Sequence, residues 1–398
     1  MPLLRPAALL LVLAACQQDV DFTPRNPPVV TPDPAPPDHG SWLSMDVAPD
    51  GQRLVIAYYD RTMGGLGFAV GTSDEGGAIT WAHEQVDGYG DPSSGLDSGD
   101  RGKYASMKVA PDGTVWIASY DVGARDLRYA HRVGGAKSWV TGIIDAGSGL
   151  TNDAGQWASL DLDANGKPVV AYYDNTAKVL KVARLADAQD ESTPEYEWTS
   201  VVARTGEAWS GTDAEGLPIS RPADVGKFAR LHIDGGTEYI AYYDAAQQRL
   251  GVLEGTAGSW SNSFATPEGQ NMGAWPSITT EGGTLVVAYH DVGNQDLMVA
   301  FRAEGGWQTE KVDSGEYVGA DTEVFRRAGN LAIVYFDGQN NDMKLATKSG
   351  TVWVTETLGA ADNAVGFHNE IVRLGDGFWA ASYDFTGRVL FTYRLTDG

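Results

Sequence analysis

A carboxylate returns at the same place in seven stretches of this sequence. Each stretch has the form of Ala171-Tyr172-Tyr173-Asp174, with an apolar residue six positions after the aspartate. The seven aspartates are Asp60, Asp121, Asp174, Asp244, Asp291, Asp337 and Asp384. A ring of carboxylates is a candidate ligand site, but an aspartate in a turn also accepts backbone N–H groups of its own loop. Because a single ligand rarely needs sevenfold symmetry, we expect these carboxylates to stabilise turns.

Residues that interrupt the repeat are better candidates for a binding site. Each repeat opens with a pattern related to Gly-x-aromatic-x-Ser, and three repeats place Arg230, Glu323 and Glu370 at the serine position. His290 replaces the second tyrosine of its stretch, and His232 is a polar residue on a first strand. Two glutamates with an arginine could bind a sugar or an amine, or serve as acid and base. The alternative is that these charged groups are merely solvated in a wet channel.

Three long insertions, at residues 87–101, 145–154 and 204–225, provide a second set of candidates. They contain Tyr89, Trp209 and Asp213, and exposed aromatic rings among polar groups are a common way to bind sugars and peptides. Function concentrates in loops of this kind, although long solvated loops without a ligand also occur. We treat the three residues as candidate ligand contacts.

Metal binding and catalysis have little support in the sequence. The six histidines show no metal-ligand spacing. The stretch Asp161-x-Asp163-x-Asn165-Gly166 resembles the start of a calcium loop, but Tyr172 occupies the position where that loop needs an acidic ligand. Calcium therefore stays possible without a complete motif. No linear motif of a hydrolase, metalloprotease or nucleotide-binding enzyme is present, so no catalytic residue is assigned and an enzyme is the less favoured expectation.

The charge balance excludes some classes of partner. The chain of 398 residues carries 53 acidic and 29 basic residues, for a formal net charge of −24. Nucleic-acid binding depends on cations that displace counterions from phosphate, which this chain lacks in excess. The same charge opposes docking on anionic lipid headgroups and favours solubility.

The first 39 residues are expected to lie outside the folded part. Residues 1–15 combine one positive charge with a short apolar run, which is typical of a secretory signal. The end of that run, Leu13-Ala14-Ala15-Cys16, resembles the lipobox of bacterial lipoproteins, and Cys16 is the only cysteine. The resemblance implies lipidation of Cys16 and cleavage before it. Residues 16–39, rich in proline, predict an extended tether.

That resemblance also predicts a location. The folded part would be anchored through its lipid in the bacterial cell envelope, on the periplasmic or the outer surface. Gln17 follows the cysteine, and in the Gram-negative families an aspartate there indicates inner-membrane retention, so the outer membrane is favoured. The lipid would be the only contact with the membrane. The oligomeric state stays open.

From residue 40 onward, turn chemistry and apolar runs predict an all-β fold. Each repeat contains four short strand-like segments, and glycine-containing pairs such as Asp50-Gly51 mark tight hairpins. The second segment is apolar on both faces, which indicates burial on both sides. Repeats start near residues 40, 102, 155, 226, 273, 319 and 366, and the last ends before a fourth segment. We predict a seven-bladed β-propeller of four-stranded antiparallel blades over residues 40–398, its last blade short of one strand. An open β-solenoid is the alternative.

The repeat unit resembles one found in uncharacterised secreted bacterial proteins, with a Ser-Leu-x-x-Asp-x-x-Gly, Tyr-Tyr-Asp and Leu-x-x-Ala core. Residues 159–183 match it closely. The resemblance implies a propeller but no shared activity. The expectation for function is thus a non-catalytic binding or interaction module for a glycan or an envelope protein. A glycan-active enzyme of the sialidase or lyase type and a purely structural envelope protein are the alternatives.

Overall fold

The computed structural model describes residues 37–73, 78–89, 99–147, 151–186, 196–212, 216–281, 283–358 and 363–396. The regular elements of these residues are all β-strands. None of them belongs to a helix with the length and hydrophobicity that crossing a bilayer requires. Residues from Pro37 onward form one compact unit, which is described below.

The strands follow one another blade by blade. Blade one contains β1 (His39–Val47), β2 (Leu54–Asp60), β3 (Gly65–Ser73) and β4 (Ile79–Asp87). Blade two contains β5 (Arg101–Val109), β6 (Val115–Asp121), β7 (Asp126–Arg132) and β8 (Val140–Asp145). Blade three contains β9 (Ala154–Leu162), β10 (Pro168–Asp174), β11 (Val179–Leu185) and β12 (Trp198–Arg204). A separate hairpin of β13 (Trp209–Thr212) and β14 (Pro218–Arg221) comes next.

The remaining four blades continue the pattern. Blade four contains β15 (Val225–Asp234), β16 (Thr237–Asp244), β17 (Arg249–Thr256) and β18 (Ser259–Phe264). Blade five contains β19 (Met272–Glu281), β20 (Thr284–Asp291), β21 (Asp296–Ala303) and β22 (Gly306–Asp313). Blade six contains β23 (Val318–Arg327), β24 (Asn330–Asp337), β25 (Asp342–Ser349) and β26 (Val352–Thr357). Blade seven contains β27 (Phe367–Leu374), β28 (Gly377–Asp384) and β29 (Val389–Thr396).

Each blade is an antiparallel sheet in which neighbours in sequence are neighbours in space. Blades one to six have four strands and blade seven has three. The prediction of a seven-bladed propeller with a short last blade is confirmed. The β13–β14 hairpin was not predicted, because residues 204–225 were recognised only as a long insertion.

The hydrophobic core lies between blades rather than within them. Every residue of the second strands β2, β6 and β10 is buried, since a blade is covered on both faces by its neighbours. One core cluster combines Val55 and Phe68 of blade one with Met107 and Ile117 of blade two. Stacking therefore supplies the burial that a single repeat cannot provide.

The ring closes by packing blade seven against blade one. Leu43 and Met45 of β1 share a core cluster with Trp379 and Ala381 of β28. The His39 N–H donates to the Arg388 carbonyl at 3.1 Å. An open solenoid would leave these two ends apart, so that alternative is wrong.

The glycine that opens each repeat is required by a close approach between blades. Gly102 has a φ of +111°, and a Cβ there would lie 2.9 Å from the Cα of Leu66 in the preceding blade. Gly155 meets Leu127 and Gly40 meets Leu390 in the same way. In six of the seven repeats the glycine meets the leucine that lies six positions after an aspartate, whereas Gly366 meets Asp342 and Phe336. The two ends of the sequence motif are therefore partners across six blade interfaces.

The seven aspartates of the repeat stabilise turns, as predicted. In each copy one side-chain oxygen accepts a backbone N–H from two or three residues further on, at 2.7–3.1 Å for the shortest bond of each: Asp60, Asp121, Asp174, Asp244, Asp291, Asp337 and Asp384. These carboxylates are thus engaged in their own loops.

Candidate functional site

A collar of aromatic side chains surrounds the central channel. The first strands of neighbouring blades contact one another around the ring, so they line its centre. Two residues after the opening glycine, six of the seven first strands carry an aromatic ring: Trp42, Tyr104, Trp157, Phe228, Trp275 and His368. Adjacent rings in this aromatic collar have centroids 4.3–5.5 Å apart.

Backbone distortion directs these side chains. All seven residues at the collar position have φ between 46° and 55°, a region that residues other than glycine seldom occupy. A register shift lies at the same point of the pairing between first and second strand in every blade. Such a bulge re-aims a side chain, and its recurrence in all seven blades directs every collar residue in the same way.

The rings of the collar are only partly covered. Trp42, Trp157, Phe228 and Trp275 each keep some exposed surface, whereas Tyr104 is 9% exposed. Large aromatic rings that remain partly open at the centre of a propeller are available to a ligand.

Asp321 occupies the seventh collar position and interrupts the aromatic series. Its Oδ2 accepts the His368 N–H at 3.2 Å, and the Asp321 carbonyl accepts Asn369 Nδ2 at 2.9 Å. Asn369 is 4% exposed, and its Oδ1 is buried without a hydrogen-bond partner. The interruption therefore places a carboxylate and an unsatisfied acceptor on neighbouring blades six and seven.

The serine of the repeat joins consecutive blades. Its Oγ accepts a backbone N–H of the next blade at 2.8–3.0 Å, in the pairs Ser44–Met107, Ser106–Leu160, Ser159–Leu231 and Ser277–Val324. At the three other interfaces this position holds Arg230, Glu323 or Glu370. At these interfaces the serine hydroxyl that accepts the backbone N–H of the next blade is therefore missing.

The three departures form ion pairs with one another in the channel. Arg230 is ion-paired with Glu323, and its Nη1 lies 3.7 Å from Glu370 Oε1. Since Arg230 belongs to blade four and the glutamates to blades six and seven, the contact passes over blade five and crosses the channel. We call these three residues the channel charge cluster. Burial raises the pKa of the Glu370 carboxyl, opposed by the positive charges of Arg230 and Lys108.

His232 lies on the same strand as Arg230 but has other partners. Its Nε2 is 3.2 Å from Thr280 Oγ1 of blade five. Burial lowers its pKa, and the carboxylate of Asp161 acts against that effect. These contacts do not join His232 to the channel charge cluster.

His290 connects blade five to blade six through a hydrogen bond. In blades one to four and seven, the second tyrosine of the motif donates to a side chain just before the next repeat, at 2.5–2.8 Å: Tyr59–Asp100, Tyr120–Asp153, Tyr173–Asp224, Tyr243–Asn271 and Tyr383–Asp38. His290 instead places Nδ1 2.8 Å from the Val318 carbonyl and is 3% exposed. Burial lowers its pKa to about 4. It is not part of the proposed site.

The insertion residues are dispersed. Tyr89 donates to Asp60 Oδ2 at 3.2 Å and covers Gly65, so its ring supports the first blade. Trp209 lies on β13 with the Arg221 guanidinium 3.9 Å above its ring. Asp213 and Cys16 lie outside the described residues. None of these is brought to the channel charge cluster by any contact among the residues placed.

The sequence did not reveal the collar, although its residues were recognised as a motif. An aromatic residue that recurs every 46 to 71 positions is equally consistent with packing in the core. The bulge that turns these rings toward the channel cannot be predicted from residue types. The absence of the aromatic residue at Asp321 was the available signal. Within the described ranges, no group of three or more His, Cys, Asp or Glu side chains has the arrangement of a metal site.

Comparisons with known proteins give a fold and no family. No family model matches the sequence, and no curated protein does. Among solved structures, the chain is similar to the polysaccharide lyase Uly1, with 10% identity and a TM-score of 0.54 over 97% of this chain and 95% of that one. It is similar to a prolyl endopeptidase, with 10% identity and a TM-score of 0.51, and to Hadza microbial sialidase Hz136, with 13% identity and a TM-score of 0.48.

The lengths matched differ. The match to the prolyl endopeptidase covers 90% of this chain and 50% of that protein. The match to the sialidase covers 74% of this chain and 63% of that protein. At such identities the likeness shows the β-propeller fold alone.

Proposed function

We propose that the protein is a non-catalytic carbohydrate-binding propeller, anchored in the cell envelope through Cys16. The observation that supports it best is the aromatic collar, in which six rings, five of them partly open, are held at positive-φ backbone positions around one channel. Aromatic rings offer flat apolar surface, on which the C–H face of a sugar packs, at little conformational cost. Hydroxyl groups of the sugar would find acceptors in Asp321 and the channel charge cluster.

The binding function is favoured over catalysis by the state of the carboxylates. A glycan-active enzyme needs a carboxyl group that is free to move a proton. Here Glu323 and Glu370 both contact Arg230, which restrains them in the ground state. The observation that favours an enzyme is the raised pKa of Glu370, which suits a proton donor, so the test below includes a search for products.

The test compares two variants of the full chain, each of which lacks one aromatic ring. Trp157→Ala removes the large ring between Tyr104 and Phe228 of the collar. Tyr393→Ala removes a ring that is 39% exposed on the outermost strand of blade seven. We expect Trp157→Ala to weaken retention on an immobilised polysaccharide panel by about tenfold, while Tyr393→Ala leaves it unchanged.

Several outcomes would argue against this function. Equal loss in both variants, or no polysaccharide retained by the parent chain, contradicts the collar as a carbohydrate site. New chain ends released from a retained polysaccharide, and lost in Glu370→Gln, would replace the binding function with an enzymatic one. Circular dichroism and the denaturation midpoint of each variant check that the propeller remains folded.

A further inference from the structure

We propose that the collar site selects saccharides with free amino groups, which are cationic, over neutral and acidic ones. This inference rests on the proposed carbohydrate-binding function and names the class of sugar. It comes from the charged groups on the described part of the channel wall, and in particular from where blades six and seven depart from the repeat.

The departures are concentrated in two adjacent blades. Where the repeat has an aromatic residue, then a small or apolar one, then serine, blade six has Asp321, Thr322 and Glu323. Blade seven has His368, Asn369 and Glu370 at the same positions. Three carboxylates thereby enter a ring whose other members are aromatic, apolar, hydroxyl-bearing or amide side chains, apart from the single cation Arg230 of blade four.

An ammonium group suits the aromatic part of this wall. Asp321 stands between the collar positions of Trp275 and His368, and its Oδ2 accepts the His368 N–H, so its carboxylate lies within the circle of collar positions. A cation over an aromatic face gains about 0.5–2 kcal/mol, more when water is excluded. A carboxylate beside such rings adds a direct ion pair, which no neutral sugar can form.

An acceptor without a partner lies beside Asp321, at the contact between blades six and seven. Asn369 Oδ1 is a buried acceptor without a partner, and its amide nitrogen is already used by the Asp321 carbonyl. A buried acceptor left unsatisfied is costly. An ammonium or amino group bound at Asp321 would bring N–H donors to this acceptor-rich part of the molecule, whereas a carboxylate on the ligand would add further acceptors.

The nearby positive charges do not reverse this preference. The Arg230 guanidinium is shared between Glu323 and Glu370. The positive charges of Arg230 and Lys108 both act to lower the pKa of the Glu370 carboxyl, and the Asp46 carboxylate acts in the opposite direction. An acidic sugar would have to approach Asp321 and both glutamates. The net charge of −24 on the whole chain also attracts cations and repels anions.

The experiment uses a matched pair of ligands with the full chain. A glucosamine tetrasaccharide and the same tetrasaccharide N-acetylated on every ring differ only in the amino groups. We expect isothermal titration at about pH 6, where primary amines are protonated, to show the free-amine form binding about tenfold more tightly. Raising the ionic strength should reduce that difference, because partly exposed ion pairs are screened by salt.

Variants locate the preference. Asp321→Asn and Glu370→Gln should each reduce the advantage of the free-amine form severalfold while the N-acetylated form is held as before. Asp376→Asn is the control, since its side chain is 89% exposed and lies at the β27–β28 hairpin. This variant should keep the full preference.

The outcomes separate the two levels of the proposal. Equal or tighter binding of the N-acetylated form, or loss of preference in Asp376→Asn alone, would overturn the amine selectivity and leave a carbohydrate-binding collar standing. Binding of an oligogalacturonate in preference to both would overturn it in the opposite direction. Failure of the parent chain to retain any polysaccharide would instead remove the proposed function on which the inference depends.

Discussion

At the scale of single residues, the serine that four of the seven first strands carry contributes to stability in a way that can be measured. Ser277 Oγ accepts the Val324 N–H at 3.0 Å and contacts Thr322 Oγ1 at 3.0 Å. Ser277→Ala would leave that buried N–H unsatisfied, at a cost of about 1–3 kcal/mol. The midpoint of urea denaturation should fall accordingly. Ser261→Ala, which removes an exposed bond to the Glu254 carbonyl, should change it by much less, and equal shifts would contradict the role of the joining serine.

The residue scale also gives the protein a pH dependence. Burial lowers the pKa of His290 from 6.5 to about 4, although the carboxylates of Asp291 and Asp296 act in the opposite direction. Between those two values the unfolded chain binds more protons than the folded one, so the free energy of unfolding falls as the pH drops through this window. The loss from this residue reaches about 3 kcal/mol.

A substitution isolates that contribution. His290→Phe imitates blade six, where Phe336 fills the same position against Phe367. The variant should lose less stability than the parent between about pH 7 and pH 4 in chemical denaturation. Parallel curves for the two proteins would show that His290 does not titrate on unfolding.

At the scale of the element, the first strand of each blade carries both the fold and the site. Its opening glycine allows contact with the preceding blade, its bulge aims the collar residue and its serine position faces the next blade. Gly102→Ala would place a methyl group 2.9 Å from the Leu66 Cα. Because backbone is in the way, we expect a loss of about 1–3 kcal/mol beyond the cost of a left-handed alanine.

The matched control for that substitution is Gly305→Ala. Gly305 also has a positive φ, +92°, but no atom lies within 4 Å of a Cβ built there. It should show only the backbone cost of about 1–2 kcal/mol. If thermal or urea denaturation gave the same shift for both variants, close blade packing would not be the reason for the glycine.

The strand elements were predictable because each is encoded locally, by an apolar run, an aspartate turn and a glycine hairpin. The exceptions at Arg230, Glu323 and Glu370 were predictable for the same reason, since a fixed repeat makes them visible. What the sequence could not show was that they meet. Arg230 of blade four reaches the glutamates of blades six and seven only because the blades close into a ring around a channel. The positive φ of the collar residues likewise reflects a bulge that residue type does not encode. The partner of His290 could not be read from the sequence, because it is the backbone carbonyl of Val318.

At the scale of the whole molecule, one interface differs from the other six in kind. Consecutive blades are linked by the chain itself, which runs from the last strand of one into the first strand of the next. Blade seven and blade one are held only by contacts, among them the bond from His39 to Arg388 and the one from Tyr383 to Asp38. The seam is therefore the place where the ring can open without breaking a blade.

Two tyrosine substitutions compare the seam with an internal interface. Tyr383→Phe removes the 2.6 Å bond to Asp38, and Tyr173→Phe removes the equal bond to Asp224 between blades three and four. Both aspartates keep a basic neighbour, Arg61 or Lys227, so the local chemistry is matched. Each bond to a carboxylate is worth about 1.5–3 kcal/mol.

The two variants are expected to differ in which backbone amides exchange faster after the hydrogen bond is removed. At the internal interface the chain connection holds the blades together, so hydrogen exchange should change little beyond the deleted bond. At the seam the same loss shifts a local opening equilibrium, so amide exchange in β1 and β29 should accelerate about tenfold or more in Tyr383→Phe alone. Equal protection of these strands in both variants would mean that the hydrophobic contacts of Leu43 and Met45 with Trp379 close the ring unaided.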